Sequence, residues 1–187
     1  MKRHLAYRLL IWVAAVAAPL GFSLPLDAST LDSGTEILGL RMGMTLEAVK
    51  EEFVKRGIAV TEIDAETFSV PRPPTPLAGV TETRLTFDGA KLKKIVVLFA
   101  IPPPQPTAAN LVDRFNEEKS RLTKFFGPPF QDVLEMKSPN PSDRYEWLVR
   151  GRAYYRSSWI TPHKLTITLW LYGEDAGIVF MEIYEAL

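Results

Sequence analysis

The chain has 187 residues, 47% of them apolar and 24% charged, a globular composition sufficient for one ordinary domain or two small ones around a shared core. Its 22 basic and 22 acidic residues cancel, which excludes a nucleic-acid footprint and gives no long-range steering toward a charged partner. There is no cysteine and there are only two histidines, so disulfides, thiolate metal sites, cysteine nucleophiles, a lipidated cysteine and a histidine-rich metal site are all excluded.

Residues 1–28 place Lys2, Arg3 and Arg8 ahead of an apolar run from Leu9 to Leu26, interrupted by Pro19, Gly21, Ser23 and Pro25. A basic start followed by such a core reads as a secretory signal, with cleavage after Ala17 or Ala28. A retained N-terminal anchor is the alternative, since 18 residues are near the lower limit for a membrane span. The expected location is periplasmic or secreted. An exported chain without cysteine suits a bacterial envelope better than a disulfide-rich extracellular setting.

The stretch 40–57, "LRMGMTLEAVKEEFVKRG", reads as a turn and a helix. Thr45 is the expected N-cap, with Met44 and Val49 placed as a hydrophobic staple. Leu46, Val49 and Phe53 form one apolar stripe, and Gly57 stops the helix. Too few glycines, at the wrong spacing, accompany it for a phosphate loop. "IAVTEI" and "TFSV" follow as short strands with a turn near Asp64. "PRPPTPLAG" is an irregular, proline-stiffened segment. Residues 83–100 then predict a hairpin turning at Asp88–Gly89.

Four prolines in "IPPPQP", residues 101–106, end the first unit and form a connector. A second helix is expected over 108–126, capped by Thr107, carrying Leu111, Phe115, Leu122 and Phe126, and closed by Gly127. The remainder reads as strands over 144–150, 152–160, 164–172 and 178–184. In 164–172, Leu165, Ile167, Leu169 and Leu171 face one way, while Thr166, Thr168, Trp170 and Tyr172 face the other. The element order predicts an α+β fold of two tandem units, each a helix on an antiparallel meander: 37–100 and 107–187, joined by 101–106, the two lying side by side either as separate sheets or with their strands joined in one.

The residues "LGLRMGMTLEAVKEEF", followed by a hairpin and a helix ending in "FFGPP", resemble the GMT-x-x-x-V opening of the small outer-membrane assembly lipoproteins of the SmpA/OmlA type. They are also similar to the tandem-unit β-lactamase-inhibitor fold. Gly43, Met44, Thr45 and Val49 carry the match, which is clearest over 39–57 and only architectural beyond residue 80. The resemblance implies helices on an antiparallel sheet, a binding or scaffolding role without catalytic groups, and a structural part for those four residues at the start of the helix. The chain departs from both groups in having no cysteine for a lipid or a disulfide.

No G-x-S-x-G elbow surrounds any serine. His163, after Thr161–Pro162, reads as an exposed turn residue. Glu51–Glu52 and Glu117–Glu118 are adjacent on helices and so diverge. "GEDAG" at 173–177 is too short for a calcium loop, although counting alone leaves an all-carboxylate site open. No metal or cofactor is expected. The prominent feature is aromatic: Tyr145, Trp147, Tyr154, Tyr155, Trp159, Trp170 and Tyr172 crowd one stretch. They serve either cross-strand packing or a partner surface. The binding reading selects Trp170, Tyr172, Tyr154, Tyr155 and Arg156. It predicts an exported, non-catalytic binding or scaffolding protein that recognises an envelope protein or peptide. The alternatives are a carrier of a lipid or other apolar ligand, and an enzyme with a carboxylate-based site.

Overall fold

A computed structural model describes residues 36–101, 107–136, 148–151, 153–174 and 177–187. The expected leader over residues 1–28, most of the proline connector, Tyr145, Trp147 and Arg152 lie outside these. Among the described residues no helix is long and apolar enough to cross a membrane.

Thr45 caps helix α1 (Leu46–Lys55): its Oγ1 accepts from the Ala48 N–H at 3.3 Å, one of the first-turn amides that have no partner within the helix. Val49 and Phe53, one turn apart, are buried against the sheet. After the last turn the chain reverses at Gly57, whose φ of +63° few other residues adopt. Helix α2 (Ala108–Phe126) starts with a reciprocal cap. Thr107 accepts from the Asn110 N–H, and the Asn110 side chain accepts from the Thr107 N–H, both at 3.2 Å. Leu111, Phe115 and Leu122 are its buried stripe, and Gly127 terminates it.

Among the described residues the strands are β1 (Glu36–Ile37), β2 (Leu40–Arg41), β3 (Thr61–Glu62), β4 (Thr67–Val70), β5 (Val80–Asp88), β6 (Lys91–Phe99), β7 (Gln131–Met136), β8 (Ala153–Ile160), β9 (Leu165–Glu174) and β10 (Gly177–Ala186). β1 and β2 form a small separate hairpin. The other eight make one antiparallel sheet in the order β3-β4-β5-β6-β10-β9-β8-β7.

This overturns the expected fold of two tandem helix-plus-sheet units. The last strand returns to the middle of the sheet, where β10 pairs with β6 from Met181↔Leu98 to Glu185↔Lys94 and with β9 along its other edge. Paired residues Phe68, Leu85, Ile95, Tyr184, Ile167 and Trp159 form a row across six strands from β4 to β8, and all are buried. Both helices cover this one face: Lys50 of α1 lies over the Phe68 ring, while Phe115 of α2 contacts Tyr155 and Phe180. Hydrophobic alternation shows which side of a strand is wet; it does not say which strand lies beside it. The two halves therefore share one core.

A second correction concerns the end of the strand expected over 144–150, of which 144–147 lie outside the described residues. Its described part, Leu148–Arg150, leads into a turn closed by Gly151 N–H to the Leu148 carbonyl at 3.0 Å. Leu148 is buried and Val149 exposed. That carbonyl rests against Gly173 of β9, where a Cβ would lie 1.5 Å from it, so only glycine lets the turn approach.

Candidate functional site

Eight strands present two faces, and among the described residues no helix covers the second. Its central residues come from the alternate positions of β9, β10 and β6: Trp170 and Tyr172, then Val179, Met181 and Ile183, then Val96 and Leu98, all half-buried. Neighbouring strands lie about 4.7–4.9 Å apart, so the apolar strip spanning these three is about 10 Å wide. Polar groups bound it. On one side are Arg156, Tyr154, Gln131 and Glu135 of β8 and β7. On the other are Glu82 and Arg84 of β5, joined by an ion pair at 2.8 Å.

Trp170 and Tyr172 lie side by side, ring centroids 4.7 Å apart. Register sets Arg156 opposite Trp170 and Tyr154 opposite Tyr172, so four of the five residues selected from sequence meet at one corner of this face. Tyr155 does not. It is buried on the helix side, its ring centroid 5.6 Å from that of Phe115. Successive strand residues point to opposite faces, so Tyr154, Tyr155 and Arg156 cannot all share one surface.

The corner has its own electrostatics. The Tyr172 hydroxyl donates to Glu174 at 2.9 Å; burial, with that acceptor, pushes the phenol up to about 12. A hydrogen bond with Glu135, with burial, raises the Tyr154 phenol. Arg156 donates from a terminal nitrogen to Gln131 at 2.6 Å. Two donors stay unmatched: Arg156 Nε and Trp170 Nε1 are buried and have no acceptor. A buried donor left without a partner costs about 1–3 kcal/mol, and in native proteins such groups are few. Here two sit on facing residues.

The residues of the GMT motif serve another purpose. The Gly43 N–H donates to the Leu92 carbonyl at 2.8 Å, and the Leu92 N–H donates to the Met44 carbonyl at 2.8 Å. Thr45 caps α1, and Val49 is buried beneath it. The motif thus latches the start of α1 onto the β5–β6 hairpin, far from the aromatic corner in sequence.

Sequence reasoning missed a buried ionic cluster on the opposite face. Glu182 of β10 is fully buried. Arg121 of α2 donates to it and, from Nε, to Glu118 at 2.6 Å, while the Tyr184 hydroxyl donates to Glu182 at 2.6 Å. Burial raises the Glu182 carboxyl above its ordinary range. Although burial opposes the Arg121 charge, Glu182 and Glu118 hold its proton more firmly than usual. The signal was in the pattern: Glu182 occupies an inward position between Phe180 and Tyr184, where alternation demands an apolar residue.

His163 is exposed in the turn between β8 and β9. Among the described residues no group of three or more His, Asp or Glu side chains is placed to hold a metal ion. Comparison with protein families, curated proteins and solved structures found no match to this chain.

Proposed function

We propose that this chain is a non-catalytic binding protein of the bacterial cell envelope, and that it holds a peptide-like segment of another envelope protein across the helix-free face of its sheet. The observation that carries the reading is the pair of acceptor-less donors, Arg156 Nε and Trp170 Nε1, at the aromatic corner. Both nitrogens are enclosed, so a bound backbone carbonyl or carboxylate pairs with them once the Trp170 and Arg156 side chains turn outward. The apolar strip beside them has the width of one packed segment, about 10 Å. Large aromatics and arginine dominate binding energy where they lie together at an interface. The basic-then-apolar N-terminal sequence supports export, and the resemblance of residues 39–57 to envelope binding modules points the same way.

The test is affinity capture from the native envelope with the full chain, compared with folded Trp170→Ala and Arg156→Ala variants. Truncating a central anchor should weaken the captured complex by about 2 kcal/mol or more, roughly thirtyfold. Capture that is equally strong with both variants would remove this face from consideration.

A further inference from the structure

On the helix side, a cavity of about 340 Å³ lies between the β1–β2 hairpin, the loop at residues 75–77 and the C-terminal turn of α2. Its walls are apolar: Ile37, Leu38, Leu77, Phe125 and Phe126. Arg121 and Tyr184 line it too, Tyr184 from the buried core, and Glu36 also borders it. This volume is at the lower end for small-molecule sites, whose usual composition is apolar walls with a few polar groups.

Two further observations describe how its walls are held and reached. Leu38, in its wall, and Gly39 are the two loop residues of the β1–β2 hairpin, and their φ values of +55° and +86° are those a tight two-residue turn requires. The Thr75 N–H donates to the Leu38 carbonyl at 2.9 Å, and Gly39 packs so tightly on Pro74 that a Cβ there would lie 2.8 Å from that ring. The turn is thereby held with an apolar side chain at the cavity. Phe125, also lining it, is 74% exposed. An exposed aromatic beside a recess gives an apolar approach from solvent.

Charge decides the class of occupant. Arg121 is the cation at the cavity, and Glu118 and Glu182 already bond it; Glu36 adds a third carboxylate. Among the described residues an anionic headgroup finds no unmatched cation there and meets like charge. We propose that this cavity binds an uncharged apolar small molecule, its ring or chain between Leu38, Leu77 and Phe126 and any polar atom toward Tyr184 and Arg121. The site is separate from the helix-free face and stands or falls independently of it.

The test uses two fluorescent probes of closely related ring system, neutral N-phenylnaphthylamine and anionic anilinonaphthalene sulfonate, titrated into the full chain. The neutral probe should bind at one site per chain and more tightly than the sulfonate. Leu77→Trp, which fills the cavity, should weaken the neutral probe by about tenfold or more. Trp170→Ala should leave it unchanged, and unaltered melting of both variants keeps the comparison one of binding. Absence of neutral-probe binding overturns the proposal, as does a preference for the sulfonate. So does binding that survives Leu77→Trp; loss only in Trp170→Ala transfers the probe to the helix-free face.

Discussion

Arg121→Met should destabilise the protein by about 3–5 kcal/mol in urea unfolding, because it leaves Glu182 buried without its cation. A desolvated carboxylate without a partner responds by taking up a proton, so the loss depends on pH. The sign follows from the direction of the shift. Glu182 has its folded pKa raised above the ordinary 4.5, and removing Arg121 raises it further. The folded state then binds the proton more readily than the unfolded chain. Its contribution is full below 4.5 and is lost as pH rises through the folded pKa. The Arg121→Met deficit should therefore be largest near neutrality and shrink toward pH 4. The double variant Arg121→Met/Glu182→Leu removes both charges and should recover most of the loss, since apolar replacement of a whole buried pair is often neutral or stabilising. A deficit below about 1 kcal/mol, or a double variant no better than the single, would show that the cluster is not closed as described.

Phe53→Ala should cost about 3–5 kcal/mol, the usual range for deleting a fully buried phenylalanine, and should do so in a single transition. The second half of that expectation is the informative one. Phe53 belongs to α1, whereas Trp147, Trp159 and Trp170 all lie beyond the proline connector. If one sheet and one core unite the halves, tryptophan fluorescence and backbone circular dichroism shift together to lower denaturant. Two independent units would leave the fluorescence transition in place while part of the dichroism moved.

Short-range chemistry was readable from the residues. Thr45 and Gly57, Thr107 and Gly127 bound their helices because caps act within one turn, and the leucine alternation of β9 gives its two faces directly. What escaped was long-range or weakly patterned. The β6–β10 pairing that merges the halves joins residues more than eighty positions apart, and nothing local encodes it. β7, an edge strand with exposed Leu134 beside half-buried Val133, lacks the clean alternation that a buried face imposes. β1 and β2 are two residues each, too short for a period. Composition groups Tyr155 with Tyr154 and Arg156, whereas the period of two separates them. Of the candidate site, the four residues on the right phase were legible. The unmatched donors were not, since they depend on which strand lies alongside β9.

The proposed partner surface is tested most directly by photocrosslinking in the native envelope. A benzoyl-phenylalanine is placed at Met181, in the middle of the helix-free face, and in a second chain at Glu117, exposed on the outer side of α2. Specific adducts with one envelope protein from position 181, absent from 117 and lost when Trp170→Ala is added, are the predicted outcome. Adducts from 117 alone, or none from 181 in the folded chain, would contradict a binding role for that side of the sheet.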